Sequence, residues 1–213
     1  MVKSIQIFFS LILAVLVISI AAKISLNYRG IYYADIERLN ISKTVNMENQ
    51  VIRSNYNSII DYLQGKSEKL NTPDFKMSQQ GRSHFDDVRK LYKQIDKIFY
   101  ISLIISLIGI AIFSIKRLFD YLKYSAWILI ALPAVLSIFA FTNFNFIFTL
   151  FHKISFSNDL WLFDPAEDPI INILPEKYFM HQAVFILLII FISALLMLLI
   201  YKIFKKRKNI ILT

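Results

Sequence analysis

Four long apolar runs divide the chain: residues 5–22, 98–115, 125–148 and 183–201, none of which contains Asp, Glu, Lys or Arg. Each meets the roughly 17 to 25 residue length needed to cross a bilayer as a helix. The stretches between them, 23–97 and 150–182, are polar and follow shorter periods. Within the first, Val51, Ile52, Tyr56, Ile59, Ile60 and Leu63 recur at helical spacing, which predicts an amphipathic helix over 47–63 with Asn46 as its N-cap. Asn71-Thr72-Pro73-Asp74 then breaks the chain, and a second helix is expected from Ser83 to about Asp96. On a wheel of about 100° per residue, Val88, Leu91, Tyr92, Ile95 and Phe99 share a face with His84. Asp86, Arg89, Lys90, Lys93, Asp96 and Lys97 fall opposite, so His84 is expected to point inward, with Asp87 placed to accept a hydrogen bond from its ring. A bend near Asp96 or Lys97 is expected to lay this helix along the membrane interface.

The second polar stretch reads differently. Residues 160–163 and 170–174 are rich in aromatic and β-branched side chains, and Asp164-Pro165-Ala166-Glu167-Asp168-Pro169 separates them with turn chemistry. They predict a hairpin, to which residues 25–34 could add a strand. Pro133 is expected to kink the third apolar run, and Asn143 and Asn145 near its end need polar partners. The fold class is therefore mainly α: a polytopic membrane protein of four transmembrane helices. Its extracellular cap, 23–97 and 150–182, holds amphipathic helices and a small antiparallel β element, and residues 1–213 form a single membrane domain.

Composition agrees with that class, since 56% of residues are apolar and only 18% charged, against about 25% charged in soluble proteins. The absence of Cys excludes disulfides, thiolate metal sites and a cysteine nucleophile. The net charge of +9 does not indicate nucleic acid, because Lys202, Lys205, Lys206, Arg207 and Lys208 directly follow the last run, where they orient it and meet anionic lipid headgroups. The first run exceeds the 7 to 15 residue core of a signal peptide, so an uncleaved anchor is expected. Lys3, Lys116, Arg117, Lys123 and the basic tail assign both termini to the cytoplasm. Residues 150–182, with an acidic excess, and 23–97 are then outside.

Candidate chemistry concentrates in that outer region. His152, Asn158, Asp159 and Trp161 lie within ten residues, and His84 faces inward from a distant segment. Two histidines beside carboxylates and amides suit proton transfer at neutral pH, the unperturbed imidazole pKa being near 6.5. No metal constellation or phosphate-binding loop is present, and His181 reads as an interfacial residue at the start of the fourth run. These residues alone are consistent with a membrane enzyme, a small transporter or a non-enzymatic membrane accessory protein.

Phe151-His152, Ser157-Asn158-Asp159-Leu160-Trp161-Leu162, Asp164-Pro165, Asp168, Ile171 and Pro175-Glu176, together with His84 and Asp86-Asp87-Val88-Arg89, resemble the lipoprotein intramolecular transacylase (Lit) family. The resemblance covers nearly the whole chain. Ser78-Gln79-Gln80-Gly81 stands where the family pattern implies acidic residues ahead of the histidine. The resemblance implies an acyltransferase of the bacterial cell membrane, with its site at the outer face and no cofactor or metal. Its substrate would be a diacylglyceryl-modified lipoprotein, reached among membrane lipids, whose acyl chain moves to the α-amino group of the N-terminal cysteine. His84 and His152 match the functional histidines. His84, oriented by Asp87, is the candidate base, and His152 the acid or oxyanion stabiliser; the order can be reversed. Asn158, Asp159 and Trp161 are the candidate supporting and substrate-binding residues.

Overall fold

The computed structural model describes residues 2–211, with side chains described for all of these except 132, 136, 138–142 and 207–211. Arg207 and Lys208 of the basic tail thus lie outside the described side chains. The helices are α1 (Val2–Asn27), α2 (Gly30–Arg38), α3 (Ile41–Val45), α4 (Asn49–Leu63), α5 (Gln79–Ile115), α6 (Asp120–Thr142), α7 (Phe144–Ser155) and α8 (Glu176–Ile211), with a 3-10 helix at Pro169–Ile173. The chain divides into two compact units, one of residues 1–25, 95–139 and 184–213, the other of 26–94 and 140–183.

The first unit holds the apolar runs except for residues 140–148 of the third and residue 183 of the fourth. Among the described residues, three helices are long and apolar enough to cross a membrane: Val2–Asn27, Gln79–Ile115 and Glu176–Lys206. Small residues let them approach closely, as in other lipid-embedded bundles. Ala14, Ala21, Ala126 and Ala194 are buried in one cluster, and a Cβ at Gly109 would stand 2.1 Å from the Phe9 ring. Ser125 Oγ donates to the Ser10 carbonyl at 3.1 Å, and Lys23 pairs with Asp96. The third apolar run, expected as one span over 125–148, is instead broken at Asn143. That residue leaves the helical region (φ −154°, ψ 81°), and its side chain accepts the Phe146 N–H to start α7. Asparagine's bond to its own backbone competes with helix propagation, which is why the run divides there. The bend expected near Asp96 and Lys97 does not interrupt α5, which is helical through both.

The second unit is built around Tyr32, Ile36, Ile52, Tyr56, Ile59, Ile170 and Ile173, all nearly or fully buried. Tyr32 and Tyr56 stack at 3.6 Å, and the Tyr32 hydroxyl donates to the Ile173 carbonyl at 2.8 Å. On α4 the expected face is buried at Ile52, Tyr56, Ile59, Ile60 and Leu63 and half-buried at Val51, and Asn55 and Tyr62 are buried as well. Its start is later than expected: Glu48 is the N-cap, and Asn46 instead closes α3 in the left-handed region at φ 51°.

Among the described residues there is no strand, and the expected hairpin is absent. Residues 160–163 are turn and irregular, while Pro169 opens the 3-10 helix. Proline has its φ preset and no N–H for a ladder. The two fully buried residues there, Ile170 and Ile173, are three apart, which brings them onto one face of a 3-10 helix and not of a strand. Residues 25–34 form no strand either: they end α1, turn at 28–29 and start α2. Tyr32 and Ile36 point into the core at i, i+4 spacing.

Candidate active site

Both candidate histidines belong to the second unit, and the fold brings them together from 68 residues apart. His84 lies in the second turn of α5, before its apolar part, and is 6% exposed; His152 lies in the last turn of α7 and is 8% exposed. Their ring centroids are 6.0 Å apart. Aromatic rings surround them. Phe156 and Phe163 meet His84 edge-on at 5.1 and 5.3 Å, while Phe148 and Trp161 pack on His152 at 4.2 and 4.8 Å.

The two imidazoles are not equivalent. Nδ1 of His152 lies 2.7 Å from the Phe148 carbonyl oxygen, one turn earlier on α7. A carbonyl can only accept, so Nδ1 carries the hydrogen and Nε2 keeps its lone pair. Burial lowers the pKa of His152, and the bond to Phe148, which favours the cation, partly opposes this. His84 is pushed down to about 4, by burial first and then by the nearby His152. Its Nδ1 is buried with no hydrogen-bond partner among the described residues. At neutral pH both rings are therefore uncharged.

Asp87 does not bond to the His84 ring as the wheel suggests. Its Oδ1 takes the Lys90 ammonium at 2.8 Å and its Oδ2 accepts from Asn158 Nδ2 at 3.0 Å. These bonds hold its carboxyl below the usual range, Lys90 contributing most. Lys90 is the i+3 neighbour, and a full charge competes better for a carboxylate than a buried neutral imidazole does. Asn158 in turn accepts the Leu160 N–H at 3.1 Å. Asp87 thus reaches the site through Asn158, which fixes the backbone just before Trp161. Asp159 and Trp161 line a cavity of about 670 Å³, a size ordinary for small-molecule sites, which span about 300 to 1,000 Å³. Phe148, Lys153, Phe163 and Glu176 share its wall. Asn145, expected to need a polar partner, also lines it and donates to Glu176 at 3.0 Å. Among the described residues no group of three or more His, Asp or Glu could hold a metal ion.

Three features escape sequence reasoning. The Phe148 carbonyl that sets the His152 tautomer is a backbone group with no sequence signal. The aromatic wall of Phe156 and Phe163 has one, since both flank the polar cluster, but it reads equally as core. His181, expected at an interface, bonds both oxygens of Asp35 at 2.8 and 2.9 Å. Asp35 has no exposed surface, and its place among Tyr32, Tyr33 and Ile36 is the available clue: a lone carboxylate on a buried face needs a partner.

Neither imidazole lines the cavity itself; they pack behind Phe148, Trp161 and Phe163 of its wall. A pair of buried neutral imidazoles in an integral membrane protein is suited to acid–base group transfer. The chain matches the family of Lipoprotein intramolecular transacylase Lit over residues 5–179, and it belongs to that family of acyltransferases. It is similar to the in meso structure of Lit from Bacillus cereus, with 34% identity, a TM-score of 0.93, and coverage of 98% of this chain and 97% of that one. Two variants of the Bacillus cereus protein, in which one histidine is replaced by arginine or by alanine, align at 33% identity. Both have a TM-score of 0.87 and cover 98% of this chain, and 93% and 95% of theirs. No match is found among curated proteins.

Proposed function

We propose that this transacylase moves an acyl chain from the S-diacylglyceryl group of a bacterial lipoprotein to the α-amino group of the same N-terminal cysteine, leaving the lyso form. The observation that carries the proposal is the pair of neutral imidazoles 6.0 Å apart in an aromatic enclosure. An α-amine with pKa near 8 is mostly protonated at neutral pH and needs a base before it can attack an ester. The Phe148 contact favours His152 as that base, one of the two orders that the sequence leaves open. Its Nε2 is free to take the amine proton, and the Phe148 carbonyl stabilises the imidazolium that forms. The amine nitrogen then bonds to the ester carbonyl carbon and the oxygen becomes an oxyanion. His84, neutral and poorly basic, donates its single N–H to that oxyanion. The added nitrogen loses its second proton to solvent, and as the carbon–oxygen bond to glycerol breaks His152 returns its own proton to the leaving oxygen, so one proton is released overall from the starting ammonium. Asp87 and Asn158 hold the backbone leading to Trp161, and Asp159 and Trp161 border the space for the lipopeptide head.

Lipid access is provided by the second unit itself. Phe146, Leu150, Phe151 and Ile154 on α7 are all at least 40% exposed, an apolar surface suited to lie among acyl chains. On this reading α6 is the fourth span, both termini are cytoplasmic and the site is at the outer face. Single cysteines replacing Ser67 and Lys123 test the orientation, since the chain has no other thiol. A membrane-impermeant maleimide applied to intact cells should label the first only. Labelling the second alone would invert the topology.

No donor lipid and no acyl-enzyme are required, because amine and ester belong to one substrate, where effective molarities reach about 10⁵ M or more. Two diacyl lipopeptides of different peptide mass, one with isotopically heavy acyl chains, are mixed with purified protein in phospholipid-free detergent. Each product should retain its own label by mass spectrometry. Scrambled labels, or activity only after adding phospholipid, would exclude the intramolecular route. A membrane accessory protein or transporter, which the sequence alone leaves open, is not favoured by membership of this family.

A further inference from the structure

The first turn of α5 is capped in an unusual way. Ser78 precedes Gln79, the first helical residue, and its Oγ accepts the Gly81 N–H at 3.0 Å, as an N-cap serine should. In a capping box, a Glu or Gln three residues after the cap reaches back to the cap's own N–H. That position here is Gly81, which has no side chain. Asp168 supplies the carboxylate from 90 residues away: its Oδ1 accepts the Ser78 N–H at 2.7 Å and its Oδ2 the Ser78 hydroxyl at 2.6 Å. It is 2% exposed. A Cβ at residue 81 would stand 2.4 Å from Asp168 Oδ1, so the glycine is what admits the carboxylate. Next to it, Gln80 Nε2 donates to the Leu162 carbonyl at 3.0 Å. The start of the helix that carries His84 is thereby fastened twice to residues 162–168, which follow Trp161 and include Phe163.

We infer that Asp168 is a positioning residue for His84, completing the helix cap in trans and so fixing the register of α5 against the segment that holds Trp161 and Phe163. The inference rests on the reading of His84 as a group that acts in transfer. It also accounts for Ser78-Gln79-Gln80-Gly81 in place of acidic residues, since the carboxylate arrives from elsewhere in the chain.

The test separates capping from positioning. Asp168→Ala removes both the cap and the tie through residue 168, whereas Asp168→Ala combined with Gly81→Glu restores a capping box within the helix but not that tie, leaving only the Gln80 bond to Leu162. In detergent, Asp168→Ala should lose about 100-fold in kcat, the cost of a displacement near 1 Å, with little change in KM. Asp168→Asn, which can still accept from the Ser78 N–H and donate to its hydroxyl, should recover most of that turnover. The double variant should regain the lost melting temperature without regaining kcat. Recovery of kcat together with stability would show that Asp168 only caps, and wild-type turnover in Asp168→Ala would overturn its role altogether. If Asp168→Ala does not accumulate as folded protein, the double variant decides alone. A readout independent of activity comes from ring-¹³C histidine labelling, which gives three resonances, because the chain has three histidines. In the double variant the His84 resonance should shift and titrate closer to an ordinary imidazole; an unchanged resonance would refute the positioning role. His84→Asn assayed in parallel reports separately on the role of His84.

Discussion

His152→Asn lowers acyl transfer by about 100 to 10,000-fold, the range for loss of a positioned acid or base, while the protein still accumulates in the membrane. Asparagine is the informative replacement because it is polar and of similar size but has no nitrogen lone pair able to take a proton. The aromatic packing around His152 tolerates it, since Phe148 and Trp161 contact the ring as a surface. His84→Asn acts on a different step. Its amide can still donate one hydrogen bond, from a less favourable position, so its loss falls near the lower end, in keeping with the roughly 100 to 1,000-fold cost of losing one oxyanion donor. Conversion of a diacyl lipopeptide followed by mass spectrometry, normalised to folded protein, measures both. Near wild-type conversion by either variant would make that histidine structural. If His84→Asn were the more severe, the two roles would be exchanged.

What was legible in the sequence, and what was not, divides by the range of the interaction. The apolar runs and most of the buried face of α4 follow from local periodicity, because the same side-chain spacing that defines the pattern decides burial. His84 is read inward on that basis, and it is buried. So is its neighbour Phe85, while the rest of the expected face on the first part of α5 is half-buried. The segment after Trp161 misleads because a short apolar run of β-branched residues fits a strand or a tight helix equally well. There the spacing of Ile170 and Ile173, and the proline before them, outweigh strand propensity. Asn143 illustrates the reverse error: one residue with a competing side-chain bond ends a helix that hydropathy alone would continue. Pairs separated by 90 or 146 residues, such as Ser78 with Asp168 and Asp35 with His181, leave no local trace. Only the isolated polar residue on an apolar face hints that a partner exists.

Acid should weaken this protein between about pH 6.5 and 4 through His84 in particular. Its folded-state pKa is pushed down to about 4, whereas an unfolded imidazole titrates near 6.5. Below the unfolded value and above the folded one, the unfolded chain binds a proton that the folded chain refuses, so stability falls as pH falls. The contribution is complete above about pH 6.5 and gone below about pH 4, and the separation corresponds to roughly 3 kcal/mol at most. The carboxyl of Asp87, held below its ordinary value by Lys90 and Asn158, adds a separate loss at lower pH, below the usual carboxylate pKa. Turnover falls in the same direction, because His152 must be unprotonated to act as base and its pKa also lies below the ordinary imidazole value. Activity should therefore hold from neutral pH to somewhat below 6.5 before it declines. Thermal unfolding in detergent across pH 4 to 8 separates the histidine from the carboxylates, provided wild type is compared with His84→Asn. The variant should lack the part of the loss that His84 contributes between about 6.5 and 4, and keep the part due to His152, whose pKa is also lowered, and the carboxylate part below it. In His152→Asn the same loss should persist over a narrower window, because removing the second imidazole takes away one of the two causes that depress His84. Identical pH profiles for wild type and His84→Asn would mean that His84 is not held neutral by its enclosure, and the assignment of His84 as an uncharged donor would fall with it.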